Sequence, residues 1–261
     1  MAKHIISFDL RADFACFKKP DINEGTILTF NSLHKPALLG VLGAIVGLKG
    51  YNKRGEFPEY YQAFKDLPIG IEPIKGFHEK GNFSKTNIKY TNTVGYANAD
   101  GTLIITEQTL IKPAFRCYIM VDDTIEYQAI LKERILKGES VYLPYLGKNE
   151  FSAWWDIETV KEYQYSTFSS NEDFKIASMF IREYPISQQK VKPKFSPSAL
   201  KMQNMASFMY FERLPTGFDE KLFQYQLAEF AFTDWTLKQD SVFENLFAVQ
   251  TSTENKIIQL F

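Results

Sequence analysis

Along the first thirty residues the pattern of apolar and polar positions is that of extended chain. Residues 4–17 carry Phe8, Leu10, Phe14 and Phe17 among small and charged neighbours, which predicts a strand. A polar, basic connection over 18–25 leads to a second short strand at 26–30. Polarity then almost disappears. Residues 31–50 read as a helix apolar on every side, with Gly40, Gly43, Gly47 and Gly50 falling in one sector at 3.6 residues per turn. A helix hydrophobic all round is buried. Each interior glycine costs about 1 kcal/mol relative to alanine, so the expectation is that another backbone approaches this face closely. Ser32 is placed at the N-cap and Pro36 in the first turn. The segment is too short and too rich in glycine for a membrane span, which needs about 20 apolar residues.

The next fifty residues change character. A loop beginning at Tyr51 leads to a short amphipathic helix ending near Leu67, and 68–74 is extended. Residues 75–101 are polar, rich in Asn, Thr and Gly, and interleaved with Phe77, Phe83, Tyr90 and Tyr96, a composition that suits a protruding β-hairpin or a mobile insertion. Strands are predicted at 102–107 and 115–121. Asp123-Thr-Ile-Glu126 matches a capping box, followed by a helix with Tyr127, Ile130, Leu131 and Ile135 on one face and Gly138 closing it. The order β–α–(insertion)–β–β–α–β is the split βαβ, ferredoxin-like arrangement of an α+β fold. Further on, strands are predicted at 160–165, 174–186 and 208–213, a long loop at 187–205, and a closing hairpin from 243–250 and 256–261. The domain reading is 1–155 for the α+β unit and 156–261 for a β-rich part packed on it.

Composition narrows the class without naming a function. The 261 residues are 45% hydrophobic, with 23 Phe and 14 Tyr, which argues against disorder and allows a core that needs no staples. Cys16 and Cys117 are the only cysteines, which excludes a disulfide framework and a four-cysteine zinc site and fits a reducing cytoplasm. No leader peptide is read at the N-terminus and no membrane span anywhere. Net charge is −1, but it is unevenly spread: residues 1–95 hold 13 Lys/Arg against 9 Asp/Glu, and the rest hold 17 against 22.

Candidate chemistry concentrates in the basic half. Arg11, Lys18, Lys19 and Lys35 flank the first strand and the helix entrance; Lys49, Tyr51, Lys53 and Arg54 follow the helix; Lys85 and Lys89 alternate with aromatics in the insertion. Cations for phosphates with aromatic platforms for bases are how single-stranded RNA is held; a solvated face with scattered aromatics gives the same composition. His34 beside Lys35 could act on an RNA 2′-hydroxyl, with the imidazole as base and the ammonium stabilising the phosphorane; the plainer role for His34 is a helix cap. Neither His4, His34 and His78 nor the aspartates at 9, 13, 122 and 123 have the spacing of a metal or paired-carboxylate site. No phosphate-binding or nucleophile motif occurs, and no metal or cofactor is expected.

Four segments in order resemble one family. Phe8-Asp-Leu-Arg-Ala-Asp-Phe-Ala-Cys-Phe-Lys-Lys-Pro20 and Leu38-Leu-Gly-Val-Leu-Gly-Ala-Ile-Val-Gly47 resemble the opening of the CRISPR-associated Cas-five family. Thr109-Leu-Ile-Lys-Pro-Ala-Phe-Arg-Cys-Tyr-Ile119 looks like its central strand, and Tyr142-Leu-Pro-Tyr-Leu-Gly-Lys-Asn-Glu-Phe-Ser-Ala153 like its "P-x-L-G-x-S-E-F-x-A" element. The resemblance covers about the first 155 residues. It implies a repeat-associated mysterious protein (RAMP) of RRM-like topology with a β-hairpin thumb at about 72–101. The implied role is in antiviral defence, as a cytoplasmic subunit of a type I Cascade surveillance complex, of the I-B variety. It would hold the 5′ handle of the crRNA, contact the backbone subunit through the thumb and dock the large subunit, meeting target DNA only within the complex, where the guide reads sequence. The residues expected to contact RNA are Arg11, Lys18, Lys19, His34, Lys35, Lys49, Tyr51, Lys53, Arg54, Lys85, Lys89 and Arg116. Many RAMP proteins carry a glycine-rich loop near the C-terminus, for which only Leu214-Pro-Thr-Gly217 is available here. In the I-C branch the subunit cuts the repeat with a tyrosine, lysine and histidine; His34 with Lys35 is the nearest counterpart, with no tyrosine matched to it. The expectation is a non-catalytic subunit, and the alternative is a metal-independent endoribonuclease.

Overall fold

The computed structural model describes residues 3–21, 25–91, 101–183, 193–197, 207–251 and 255–261. The tip of the predicted thumb (92–100), most of the predicted loop at 187–205, the end of the strand predicted at 174–186 and the turn at 252–254 lie outside them. In chain order the elements are β1 (Lys3–Ala12), β2 (Phe14–Ala15), β3 (Phe17–Lys18), β4 (Thr26–Ile27), β5 (Thr29–Phe30), α1 (Lys35–Val46), α2 (Glu59–Phe64), β6 (Ile69–Pro73), β7 (His78–Glu79), β8 (Asn82–Phe83), β9 (Lys85–Thr91), β10 (Ile104–Ile111) and β11 (Ala114–Asp122). There follow α3 (Glu126–Lys137), β12 (Ala153–Trp154), β13 (Lys161–Tyr163), β14 (Tyr165–Thr167), β15 (Phe180–Glu183), β16 (Met209–Asp219), β17 (Gln224–Thr233), β18 (Leu246–Gln250) and β19 (Asn255–Gln259).

The central sheet has the order β12-β1-β11-β6, with β13 also pairing β1, and every pair is antiparallel. Successive side chains of a strand point to opposite faces, and both faces of β1 are covered. Ile6, Phe8 and Leu10 join Leu38, Leu42, Ile45, Leu131 and Ile135 of α1 and α3 in the main core. Ile5 joins Tyr118 and Met120 beneath Val249, Ile258 and Leu260. The main core also takes in Met179, Ile181, Leu214, Ala228 and Phe230 from the second half of the chain. Just past β19, Phe261 exchanges main-chain hydrogen bonds with Ile69 at 2.9 and 3.2 Å, extending the pairing at the β6 side of the sheet.

Several expectations need correcting. The strand predicted over 4–17 ends at Ala12, because the chain changes sheets there: β2 pairs β10, whereas β1 pairs β11. The N-cap of α1 is His34, not Ser32; its Nδ1 accepts from the Ala37 N–H at 3.3 Å. No capping box forms at α3. Asp122 Oδ1 accepts from the main-chain N–H and hydroxyl of Thr124, Ile125 is the N-cap, and Asp123 pairs with His4 and Lys132. Leu214-Pro-Thr-Gly217 is strand rather than loop. It lies inside β16, where a register shift between Pro215 and Gly217 brings the Phe218 N–H to the Tyr61 hydroxyl at 2.8 Å. Its partner β17 was not predicted. The polar insertion forms the small β7–β8 hairpin and then β9, which pairs β10 from Lys85↔Leu110 to Thr91↔Ile104.

The glycines of α1 do not share the one predicted purpose. A Cβ at Gly43 would stand 2.3 Å from the Cβ of Tyr60 on α2, so this glycine lets two helices meet. Gly47 is the left-handed C-cap, at φ 92°, and Gly50 faces open space. Nor is α1 buried all round: Ala37, Gly40, Ala44 and Gly47 are half-buried and form a strip of small residues along one side.

Candidate functional site

The strip along α1 is the floor of a cleft of about 590 Å³. Pro36, Ala37, Gly40, Val41 and Ala44 line its base. Side chains this small leave a shallow apolar shelf where larger ones would fill the space. The walls come from five separate places: β3 with Phe17 and Lys18, the loop after α1 with Tyr51, α2 with Tyr60, the strap before β12 with Tyr142 and Tyr145, and the β16–β17 pair with Phe218 and Tyr225. Tyr51, Tyr142 and Tyr145 are 62%, 51% and 44% exposed, so their rings are available to an occupant.

Local geometry holds these walls in place. The strap is pinned to the end of α1 by the N–H groups of Val141 and Tyr142, which donate to the carbonyls of Ile45 and Ala44 at 3.2 and 3.0 Å. Its other end rests on β2–β3 through Gly147, at φ 85°, where a Cβ would stand 1.9 Å from the Cys16 carbonyl oxygen. Only glycine allows that approach. Phe218 stacks on Tyr225 at 4.8 Å between ring centres.

Electrostatically the interior of the cleft is close to neutral. Burial pushes the Tyr51, Tyr60 and Tyr225 hydroxyls above their ordinary value and the Cys16 thiol up to about 11. His34 is 4% exposed, and burial drives its imidazole down to about 3, so it is uncharged at neutral pH. Because Nδ1 accepts the capping bond, the proton of the neutral ring is assigned to Nε2. Burial opposes the Lys148 charge, but hydrogen bonds to Glu107 and Glu150 at 2.6 and 2.8 Å hold its ammonium above the usual value. Lys18 stands exposed at the rim with no ion pair among the described residues.

The cleft therefore brings together Lys18, His34 and Tyr51 from the predicted set. Lys53, paired with Glu56 at 3.3 Å, and Arg54 lie beside it in the exposed loop that follows Tyr51, and Lys49 is exposed just before. The other predicted residues are elsewhere or engaged. Lys35 is buried and turned away from the cleft, donating to the Phe261 carbonyl oxygen at 2.9 Å; burial lowers its ammonium to about 8. Arg116 donates from Nε and Nη2 to the two carboxylate oxygens of Asp9 at 2.7 and 3.0 Å, in the middle of the sheet. Lys85 donates to the Asn31 side chain, and Lys19 lies 3.5 Å from Glu212. Arg11 rests over the Phe77 ring and Lys89 is exposed on β9. Sequence reasoning missed Tyr60, Tyr142, Tyr145, Lys148 and Tyr225. Tyr142 and Tyr145 sat inside a quoted motif, while Tyr60 and Tyr225 are far apart in the chain and carry no local signal. Among the described residues no three His, Cys, Asp or Glu side chains are placed to hold a metal ion, and no helix is long and apolar enough to cross a membrane.

No family model matches the chain, and no curated protein matches it. Solved structures do. A CRISPR protein from Archaeoglobus fulgidus superposes with a TM-score of 0.50 at 10% identity, covering 98% of this chain and 99% of that one. A CRISPR RNA-guided surveillance complex contains a chain that matches with a TM-score of 0.48 at 12% identity, covering 88% and 91%. A chain of the Type III-B Cmr-beta complex bound to cognate target RNA and AMPPnP matches with a TM-score of 0.48 at 11% identity, covering 99% of both. The chain has the fold of the Archaeoglobus protein, a mixed fold dominated by strands.

Proposed function

We propose that the protein is the RNA-binding subunit of a type I CRISPR Cascade complex, of the I-B variety, and that it holds the 5′ handle of the crRNA. The observation that carries this reading is the tyrosine-walled cleft with Lys18 at its rim and Lys49, Lys53 and Arg54 exposed nearby. Uncharged aromatic walls beside unburied cations suit a single strand, whose bases stack and whose phosphates need countercharge. The sheet supports the family assignment. Taking β1, α1, β6, β11, α3 and β12 with β13, and setting aside the elements inserted among them, the order is strand, helix, strand, strand, helix, strand with the last-arriving strands beside the first, the order that a ferredoxin-like, RRM-like RAMP reading expects. The β9–β10 arm is the thumb in this reading and meets the backbone subunit; the large subunit docks elsewhere on the same chain.

The same site argues for holding RNA rather than cutting it. A general base needs a free lone pair and a pKa near the working pH. The Nδ1 of His34 is occupied by a cap, and its ring protonates only near pH 3. Lys35 points to Phe261, so the two residues do not face one substrate.

The test is binding of labelled handle RNA by fluorescence anisotropy across a salt series, in EDTA, with the RNA recovered on a gel. Four phosphate contacts predict a log–log slope of about −3 and intact RNA. Salt-independent binding would remove the phosphate reading. A specific metal-independent cut that disappears in His34→Ala would replace it with the endoribonuclease.

A further inference from the structure

General RNA binding needs cations and some aromatic surface; it does not need an enclosed pocket. This cleft is a half-open concavity rather than a flat surface, and its volume of about 590 Å³ lies within the roughly 300–1,000 Å³ of small-ligand sites. We propose that it receives one unpaired nucleobase of the bound RNA, laid on the α1 shelf between the tyrosines and hydrogen-bonded by His34. The inference rests on the RNA-binding reading and adds the subsite and its recognition chemistry.

Three features select that occupant. The shelf of Ala37, Gly40 and Ala44 is apolar and free of long side chains, and Tyr51, Tyr60, Tyr142, Tyr145 and Tyr225 surround it with flat, uncharged rings. That is the surface a planar heteroaromatic ring stacks against. The polar group set into the apolar lining is His34, whose ring packs edge-on against Phe17, Phe30 and Tyr225. Its ring lines the cleft, and its Nε2–H has no hydrogen-bond partner among the described residues. A donor fixed in an apolar pocket matches a ring nitrogen or carbonyl on a base edge, and an occupant lacking that acceptor would leave it unpaired. The third feature is the charge at the mouth. Lys148 is paired to Glu107 and Glu150, which leaves Lys18 as the rim cation without an ion pair among the described residues. With Lys49 and Arg54 exposed in the loop beside it, this cation meets the phosphodiesters on either side of a base held in the cleft.

The experiment compares handle RNA with a series in which each nucleotide in turn is made abasic, measured by anisotropy at one salt concentration. Two variants accompany the parent protein. Gly40→Leu fills the shelf at a position where a Cβ meets the Tyr60 ring at an ordinary 3.9 Å. Tyr142→Ala removes a wall ring that is 51% exposed and leaves the main-chain hydrogen bond to Ala44 in place. One abasic position should weaken binding by roughly 5- to 150-fold, the range of one stacked base. Both variants should weaken the intact RNA, while the RNA abasic at that position loses little more. If the parent binds the intact and every singly abasic RNA equally, the base pocket is wrong and the RNA-binding reading stands. If the parent fails to bind handle RNA even at low salt, both fall. If ATP or GTP competes for the cleft more tightly than the RNA, the occupant is a free nucleotide and the proposal is overturned.

Discussion

Substituting Gly43 by alanine is a sharp test of how α1 and α2 meet. On an isolated helix the change stabilises by about 1 kcal/mol. Here the new methyl carbon would stand 2.3 Å from the Tyr60 Cβ and 2.9 Å from its Cγ. Carbon atoms rest at roughly 3.5–4.0 Å, so the helices must part by more than an ångström. The contact is a Cβ, fixed to the backbone, and cannot swing aside as the end of a long side chain would. Moving α2 disturbs Tyr61 and Phe64, both buried in the main core. Overpacking of this kind costs about 1–3 kcal/mol. At the upper end of that range the net is a loss of about 1–2 kcal/mol, or roughly 2–8 °C in Tm for a chain of this size. Thermal and urea denaturation of the parent, the single variants and the two double variants checks it. Gly40→Ala, whose Cβ has 3.9 Å of room, should gain up to about 1 kcal/mol. Gly43→Ala should lose. Tyr60→Ala should not relieve Gly43→Ala, because the clashing Cβ remains, whereas Tyr60→Gly should, as a favourable coupling in a double-mutant cycle. A Gly43→Ala protein as stable as the parent, or full rescue by Tyr60→Ala, would refute this account of the helix contact.

Four further outcomes follow from groups already described. His34 titrates near 6.5 when unfolded and near 3 when folded, so the unfolded chain binds the extra proton as pH falls; stability present above pH 6.5 should decline toward pH 3 with a slope of up to about 1.4 kcal/mol per pH unit. His34→Asn, which still caps, should remove that slope in pH-dependent melts. Lys35, lowered to about 8 in the fold from 10.5, works in the opposite pH range: stability should climb between about pH 8 and 10.5, and Lys35→Met should abolish the climb without weakening RNA binding in a filter assay. Arg116→Met leaves Asp9, which is 4% exposed, with only the Arg11 guanidinium 4.0 Å away as countercharge and should cost toward the lower end of about 3–5 kcal/mol, while Asp9→Asn in the same chain recovers part of it in urea titrations. Replacing 90–105 by a short glycine turn should leave the melting temperature nearly unchanged, since Phe83 and the Lys85–Leu110 rung remain, yet weaken co-purification with the backbone subunit.

What the sequence revealed follows from where the physics is local. The elements β1, α1, α2, β6, β11 and α3 announce themselves through periodicity, and Phe8, Leu10, Leu131 and Ile135 lie in the core where their spacing put them. The β16–β17 pair was lost because Pro215 and Gly217 read as a turn, although they occupy a register shift in a strand. The alternation Gln224-Tyr225-Gln226-Leu227 at the start of β17 was a usable signal. Charge misled in a different way. A sequence counts cations but does not show which are matched, and Lys35 and Arg116 are held by a carbonyl and a carboxylate that lie 226 and 107 positions away. The cleft was the least legible feature. Its floor was read as a buried face, and its walls come from five stretches brought together only by tertiary packing.

The run from β19 to Phe261 also bears on how the protein is made. Leu260 is fully buried, and Phe261 bonds Ile69, on a strand of the central sheet laid down almost two hundred residues earlier. During synthesis the helices and the first strands emerge long before their last neighbour does. In that interval the Ile69–Pro73 side of the sheet presents unpaired main-chain groups, the template on which two chains join edge to edge. Contacts so remote in sequence also form slowly. A nascent chain that has not yet made β19 and Phe261 is therefore the aggregation-prone species, and the need for chaperone cover falls on the stretch of translation before residue 255 appears.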